Sequence, residues 1–420
     1  MNWLSLHDAF CTFAAASWRQ WRLRDRAAVS RYHKQQLREL AVHASANFPF
    51  FADAQELSFD SWPRLDKQIL IDNFDQLNSA KLRAGDVRAA LSRGEQRLAG
   101  YCIGQSTGTS GNRGYYVISE RERFIWLGTI LAKTMPDVLW RRQRVALAMP
   151  NMSSLYQSAE QSGQITLRFF DLAKGVESWA EDILQFRPNV IVAPPKVLRW
   201  LAEQDCLPDA RLFSGAEVLD LLDRAMIERK SRFPLREIYM ATEGLFGVSC
   251  RYGTLHLAED VVHFEWERAG ADSNLVVPIV TDFTRRAQAM IRYRMNDLVE
   301  LDDQPCRCGS AFQAVKRIVG RCDDCLEISD TKGRLRMVTP DVLRNAVVDA
   351  HPSIDDFRVV QTAPDAIRVS LPKSVPAEAI AATQAMLAAR LAQMCVAPKI
   401  TVVRGITTPF DHKLRRVLRF

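Results

Sequence analysis

Three groups of residues in this sequence could do chemistry. The first is Ser106-Thr107-Gly108-Thr109-Ser110-Gly111-Asn112-Arg113-Gly114, with three glycines and four hydroxyl side chains. Glycine lets backbone N–H groups come close to a bound group, and the hydroxyls add donors, so the stretch suits a phosphate. It lacks the Gly-Lys-Ser/Thr ending of a P-loop and the glycine spacing of a dinucleotide fingerprint. The second group is thiol. Of nine cysteines, Cys250, Cys306, Cys308, Cys322 and Cys325 fall in one stretch, and Cys306-Arg307-Cys308 with Cys322-Asp323-Asp324-Cys325 has zinc-ribbon-like spacing. Such uneven clustering suits metal binding in a reducing compartment rather than a disulfide framework. The third is the basic end, Lys413, Arg415, Arg416 and Arg419, whose plain reading is a solvated tail.

Elements must hold these groups. Tyr32–Ala46 carries Leu37, Leu40, Ala41 and Ala44 at helical spacing and stops before Pro49. Leu65-Asp66-Lys67 starts a short helix with Leu70, Ile71 and Phe74 on its apolar face. Beyond residue 100, apolar runs at Val145–Met149, Asn189–Ala193, Arg211–Gly215 and Ile238–Met240 read as strands, with helices over Pro195–Glu203 and Leu219–Lys230 between them. That alternation predicts an α/β domain with largely parallel pairing. Residues 250–301 read as strands and turns. A compact α+β unit follows: strands at Cys325–Ser329, Phe357–Gln361, Ala366–Ser370 and Ile400–Arg404, and helices at Pro340–Ala350 and Pro376–Gln393.

Composition bounds the function classes. In 420 residues, 47% are apolar and 25% charged, which excludes a disordered chain. No uncharged apolar run reaches the roughly 18 residues of a membrane-spanning helix. The net charge of +7 is spread out, which suits anionic small molecules better than nucleic acid. The apolar patch Phe10–Ala16 has no basic region before it and Asp8 interrupts the N-terminal stretch ahead of it, unlike a secretory signal. A cytoplasmic protein with neither a nucleic-acid nor a membrane partner is expected.

Further segments follow in order: Ser214-Gly215-Ala216-Glu217, Tyr239-Met240-Ala241-Thr242-Glu243-Gly244, Tyr293-Arg294-Met295-Asn296-Asp297-Leu298, Gly320-Arg321-Cys322-Asp323-Asp324 and, near the end, Lys413. With the 106–114 loop they resemble the acyl-adenylate-forming superfamily, most of all its phenylacetate–CoA ligase branch and the coenzyme-adenylating relatives. The resemblance covers about residues 35–420 and includes Phe48-Pro49-Phe50-Phe51 and Leu65-Asp66-Lys67. Met240 and Asn296 stand where glycine is usual, and so does His412 before Lys413. After the hinge, Ser329–Leu335 reads as a polar hairpin where relatives have a glycine-rich turn, a departure that points toward the carrier-loading or coenzyme-adenylating side of the branch.

The resemblance implies an α/β fold with a large N-terminal adenylation domain of mixed sheets and flanking helices (1–320) and a small mobile α+β C-terminal domain (321–420). It implies that Ser106, Thr107, Gly108, Thr109, Ser110, Gly111 and Gly114 cradle the ATP phosphates. Gly215, Ala216 and Glu217 would border adenine, and Tyr239 would stack on it. Thr242 would bond the α-phosphate, Glu243 would hold Mg²⁺, Asp297 the ribose with Arg321 nearby, and Asp323 would be the hinge. Lys413 would be the adenylation cation. The activity implied is ATP- and Mg²⁺-dependent adenylation of a carboxylic acid, aromatic by family, with acyl transfer to coenzyme A or an acyl carrier protein. The alternatives are an adenylyltransferase or amide-forming ligase without a thioester step, or a non-catalytic nucleotide-binding relative. Tyr156, Phe246 and Phe124 are candidate acid-pocket residues. For zinc, the branch favours Cys250, His256, Cys306 and Cys308 over the ribbon set, because a metal on the hinge would stop its rotation. A homodimer is the remaining partner expectation.

Overall fold

The computed structural model describes residues 3–105, 114–149, 164–270, 273–330, 332–406, 408 and 413–419, with side chains from Leu6 onward. Among the described residues, twelve strands form one mixed sheet. Its parallel half runs Ile165–Asp171, Gln143–Met149, Val190–Ala193, Arg211–Ser214 and Arg236–Ala241. These strands are near-continuous apolar runs because both faces are covered. Ala146, Ala148 and Ile191 face the helices Ala180–Phe186, Pro195–Glu203 and Leu221–Lys230. Val145 and Val190, one residue out of phase, face the helix Glu120–Thr134. The sheet continues antiparallel through Gly244–Ser249, Leu255–Leu257, Ala314–Arg321, Asp297–Asp302, Leu275–Asp282 and Val262–Arg268.

Two local devices place the site walls. Ser119 caps the helix Glu120–Thr134 in a reciprocal capping box with Glu122. Asp66 caps the helix Lys67–Asp72 through the Ile69 N–H. The preceding Leu65 exchanges backbone hydrogen bonds with Arg292 and Arg294 at 3.0 and 2.8 Å, which pins the Arg-Tyr-Arg segment beside the sheet.

The C-terminal unit has its own core, including Ile328, Leu343, Phe357, Val369 and Leu387. Leu326–Ser329 and Leu335–Val338 form an antiparallel hairpin. A second sheet runs Lys399–Arg404, Ala366–Leu371, Arg358–Ala363, Val417–Leu418, with Pro340–Val348 and Ala377–Gln393 as its helices. The last strand corrects the tail reading: Val417–Leu418 pairs parallel to Arg358–Ala363. Arg415, Arg416 and Arg419 are ion-paired to Asp324, Asp223 and Glu327, so Arg415 and Arg416 are folded into the unit while the Arg419 pair stays exposed.

Candidate active site

The carboxyl ends of the parallel strands, at Met149, Ala193, Ser214 and Ala241, open on one side of the sheet, the usual place for ligands in open α/β folds. Gly215 follows the strand Arg211–Ser214, its N–H donating to the Ala193 carbonyl at 3.1 Å. Ala216 has φ of +67°, a left-handed conformation uncommon outside glycine, and the chain turns there. Glu217 forms an ion pair with Lys196 at 2.9 Å, with side-chain exposures of 3% and 2%. It also accepts the Leu414 N–H at 3.2 Å. Burial pushes the Glu217 carboxyl up, against the pull of Lys196. Glu217, expected beside adenine, therefore ties the C-terminal segment to the end of the sheet.

Thr242 and Glu243 form the turn between the paired strands Arg236–Ala241 and Gly244–Ser249. Glycine after them leaves room for Asp282, since a Cβ on Gly244 would lie 3.0 Å from Asp282 Oδ2. The Tyr239 hydroxyl donates to Asp297 Oδ2 at 2.8 Å, and Arg321 Nε stands 3.8 Å from Asp297 Oδ1. The Tyr293 hydroxyl reaches Glu243 Oε1 at 3.4 Å. Burial raises the carboxyls of both Glu243 and Asp297, and the charge of Asp297 adds to the effect at Glu243. Such a pair favours a cation between or beside it. Lys413 is half-buried here. Burial and Arg321 draw its ammonium down, while Glu217, Asp297 and Glu243 act in the opposite sense.

Lys413, Thr242, Gly215 and Ala216 line one cavity of about 360 Å³, together with Gln105, Tyr116, Arg285 and an apolar wall from the helix Glu120–Thr134 and the parallel strands. Gln105 and Tyr115 face each other across antiparallel strands, which flank the Gly/Ser/Thr stretch. Ser106, Thr107, Gly108, Thr109, Ser110, Gly111 and Tyr156 lie outside the described residues, and Gly114 begins the second flank.

Glu217, Glu243, Asp297 and Arg321 do not themselves line the cavity, and neither do three further expected residues. Phe246 is fully buried, its ring 5.3 Å from that of Tyr239. Tyr239 is itself buried and does not line the cavity; its hydroxyl holds Asp297. Phe124 is buried beside Leu127 of its own helix, with Ala9 of the helix Trp3–Arg22 packed against them. Neither phenylalanine is a pocket residue, because each fills a core layer that the fold closes. Asp323 is held by the Asn296 side-chain amide at 2.7 Å, which gives the residue in the usual glycine position a role.

The sequence reading missed Lys196, Glu122 and Arg285. Glu122 accepts the backbone N–H groups of Ser119, Arg286 and Ala287 at 2.7, 2.7 and 3.0 Å, and so fixes the Arg285 segment to the helix start. The Ser-x-x-Glu capping spacing was the visible signal for Glu122. Lys196 and Arg285 carried none, since their partners are remote in sequence.

The cysteines resolve into one cluster. Strand pairing sets His256 opposite Ala314 and brings Cys250 to the Cys306-Arg307-Cys308 turn. One ligand atom from each of Cys250, His256, Cys306 and Cys308 lies within 4.8 Å of all the others. His256 Nδ1 donates to the Phe312 carbonyl at 3.0 Å, which leaves Nε2 facing Cys308 Sγ at 3.3 Å. Backbone N–H groups of Tyr252, Cys308 and Ser310 point at the three sulfurs, at 3.4, 3.5 and 3.4 Å. Zinc–sulfur bonds of about 2.3 Å in a tetrahedron place sulfurs roughly 3.8 Å apart; Cys250 and Cys306 stand 3.9 Å apart. The donor set fits zinc. The ribbon set does not assemble: Cys325 packs against Leu275, Val277 and Leu298, and neither it nor Cys322 joins a cluster among the described residues.

No protein-family model matches the chain. Protein CapK of Staphylococcus aureus is 31% identical over 162 residues, 38% of this chain and 35% of that protein's length, so the match spans about a third of that relative. The structure is similar to 2-hydroxyisobutyryl-CoA ligase in its postadenylation state with 2-HIB-AMP, at 15% identity and a TM-score of 0.67, covering 94% of this chain and 89% of the other. Against the same enzyme in its thioesterification state the TM-score is 0.52, at 17% identity and the same coverage. Fatty acyl-adenylate ligases from E. coli and L. pneumophila give 0.51 at 16% identity, over 75% of this chain and 67% of theirs. With motifs, sheet and C-terminal unit all in that arrangement, the chain has the fold of the acyl-adenylate-forming enzymes.

Proposed function

We propose that this protein adenylates a carboxylic acid with ATP and then passes the acyl group to a thiol, coenzyme A or a carrier-protein phosphopantetheine. The observation that carries this reading is Lys413: a cation from the C-terminal segment lines the same cavity as Thr242, Gly215 and Ala216. In the first step a carboxylate oxygen bonds to the α-phosphorus, and the phosphorus–oxygen bond to pyrophosphate breaks. Lys413 reaches the oxygens on which negative charge gathers, and fixed cations there stabilise the transition state. Thr242 donates from the turn beside it. Asp297, held by Tyr239, is placed to accept from ribose hydroxyls. Glu243 would hold Mg²⁺, which supplies charge neutralisation at the phosphates. In the second step the thiol sulfur bonds to the acyl carbon, the carbon–oxygen bond to AMP breaks, and the thiol proton goes to solvent.

Two further supports are the acyl-AMP and coenzyme A that the 2-hydroxyisobutyryl-CoA ligase structures carry, and the Cys250, His256, Cys306, Cys308 set, which would hold a structural zinc. With all nine cysteines free, we place the protein in the reducing cytoplasm. Among the described residues no helix is long and apolar enough to cross a membrane.

ATP–pyrophosphate exchange over a panel of acids, with and without coenzyme A, tests the reading. Glu243→Gln should keep the fold and lose Mg²⁺-dependent exchange, because a buried carboxylate is favourable here only with a bound cation. Wild-type exchange in that variant would remove Glu243 from the metal role. Exchange that never proceeds to a thioester would favour the adenylyltransferase or amide-forming alternative.

A further inference from the structure

We propose that the acid is aliphatic, its chain lying in the trough between the helix Glu120–Thr134 and the parallel sheet, and its carboxylate received by Arg285. This deepens the adenylation reading and rests on it.

The trough is long. Val145, Leu147 and Met149 line it from alternate positions of one strand, so at ~3.3 Å per residue this wall runs about 13 Å. Trp126, Ile130 and Thr134 line it from successive turns of the helix, about 12 Å at 1.5 Å per residue. Two independent elements give the same length, more than one aromatic ring fills. Branched aliphatic side chains are the commonest kind in the lining, ahead of the aromatic Tyr116, Trp126 and Phe213. Trp126, Ile130, Leu131, Leu167, Val192 and Met240 belong to the interior layer yet stay only partly buried. Protein interiors are close-packed, so an apolar trough of this size inside the molecule is a place for an apolar ligand.

Four charged side chains line this cavity, Glu122, Asp282, Lys413 and Arg285, and of the two cations Arg285 is the one on the large unit. It is 6% exposed and lines the cavity. Its one hydrogen bond among the described residues runs from Nη2 to Gln288 Oε1 at 3.3 Å, and its Nε has no partner. No carboxylate pairs with it among the described residues; Asp282 Oδ1, nearby, instead accepts from Thr284 at 2.6 and 2.7 Å. Glu122 fixes the position of the segment through the next two N–H groups. Asp282 and Glu243 feel the charge of Arg285 but neither bonds it, so the buried guanidinium keeps Nε unpartnered, and a carboxylate matches its forked donors.

The test is pyrophosphate exchange by the wild-type chain with straight-chain acids from butanoate to dodecanoate, beside benzoate and phenylacetate. We expect kcat/KM to rise about fourfold per methylene to an optimum and then fall, and Leu167→Trp to move that optimum to a shorter chain. Arg285→Gln should raise the KM for the acid about tenfold or more and leave the KM for ATP in place, with Arg285→Lys in between. Faster exchange with the aromatic acids, or no dependence on chain length, would overturn the trough. A raised KM for ATP alone would give Arg285 to the phosphates and overturn its role. Should no acid support exchange, the adenylation reading fails by itself. A fluorescent fatty acid then decides the trough: binding weakened by Leu167→Trp upholds it, and no binding overturns it.

Discussion

Arg416 donates through Nη1 and Nη2 to the two oxygens of Asp223, both at 2.8 Å, and through Nε to Asp356 at 2.9 Å. Asp223 is on the helix Leu221–Lys230 of the large unit and Arg416 on the C-terminal segment, so the pair clamps one unit on the other. Both are almost without exposure. Arg344–Asp220 and Arg199–Asp223 lie in the same seam. Removing one partner of a buried ion pair leaves an uncompensated charge and typically costs about 3–5 kcal/mol.

Arg416→Met should therefore loosen this docking. X-ray scattering should show a larger radius of gyration, and pyrophosphate exchange should fall about tenfold or more. Conversion of a supplied acyl-adenylate to thioester should fall less, since the arrangement here matches the postadenylation state of a neighbour better than its thioesterification state. Unchanged scattering and exchange would remove the clamp from the working cycle.

Lys413→Ala should cripple acyl-adenylate formation by about 10²–10³, as for loss of one transition-state donor. It should still turn a supplied acyl-adenylate into thioester, because the C-terminal unit rotates between the steps in this reading. Near-normal exchange would sink Lys413 as the adenylation cation. Equal loss of both steps would sink the rotation.

The purified protein should contain about one zinc per chain, bound by four ligands as in a structural site. Cys306→Ser should lose the metal and melt at lower temperature. Cys322→Ser should do neither. Metal retained in both Cys306→Ser and His256→Ala would exclude the cluster.

Acid should destabilise the fold through a histidine pair. His33 Nε2 donates to the Glu259 carbonyl at 2.6 Å, so its Nδ1 accepts from His263 Nδ1, 3.0 Å away. Burial and His33 hold His263 down to about 4, and burial lowers His33 as well. The unfolded chain binds these protons near 6.5, so the stability of the neutral pair is complete above that pH and lost as pH falls from about 6.5 to 4. Asp282, Asp297 and Glu243, raised by burial, act in the opposite sense. The measurement is therefore the difference between wild type and His263→Asn, whose Tm should fall less steeply across that window. Parallel profiles would refute the pair.

What could be read along the chain was whatever neighbours in sequence decide. The apolar runs Val145–Met149, Asn189–Ala193 and Arg211–Gly215 announced parallel strands, and Asp66 announced a helix start, while the Ser119 cap went unread. Thr242 and Glu243 were recognisable within their short motif, and Cys306-x-Cys308 as half of a metal site. The helix Glu120–Thr134 shows the limit. It is apolar around most of its circumference, so its pattern does not tell Phe124, which faces the first helix, from Ile130, which faces the trough.

The sequence by itself determined the order of the elements, the fold they imply and the residue types gathered for nucleotide and metal chemistry. Only the tertiary structure decided which cysteines converge, that Glu217 is bound to Lys196, that Phe246 is core, that Arg285 stands at an apolar trough with its Nε unpartnered, and that Lys413 reaches the cavity from the far end of the chain. Each depends on distances between residues tens or hundreds of positions apart. Those distances are set by strand register and by which face of an element is closed, and both follow from the packing of the whole molecule rather than from any local pattern.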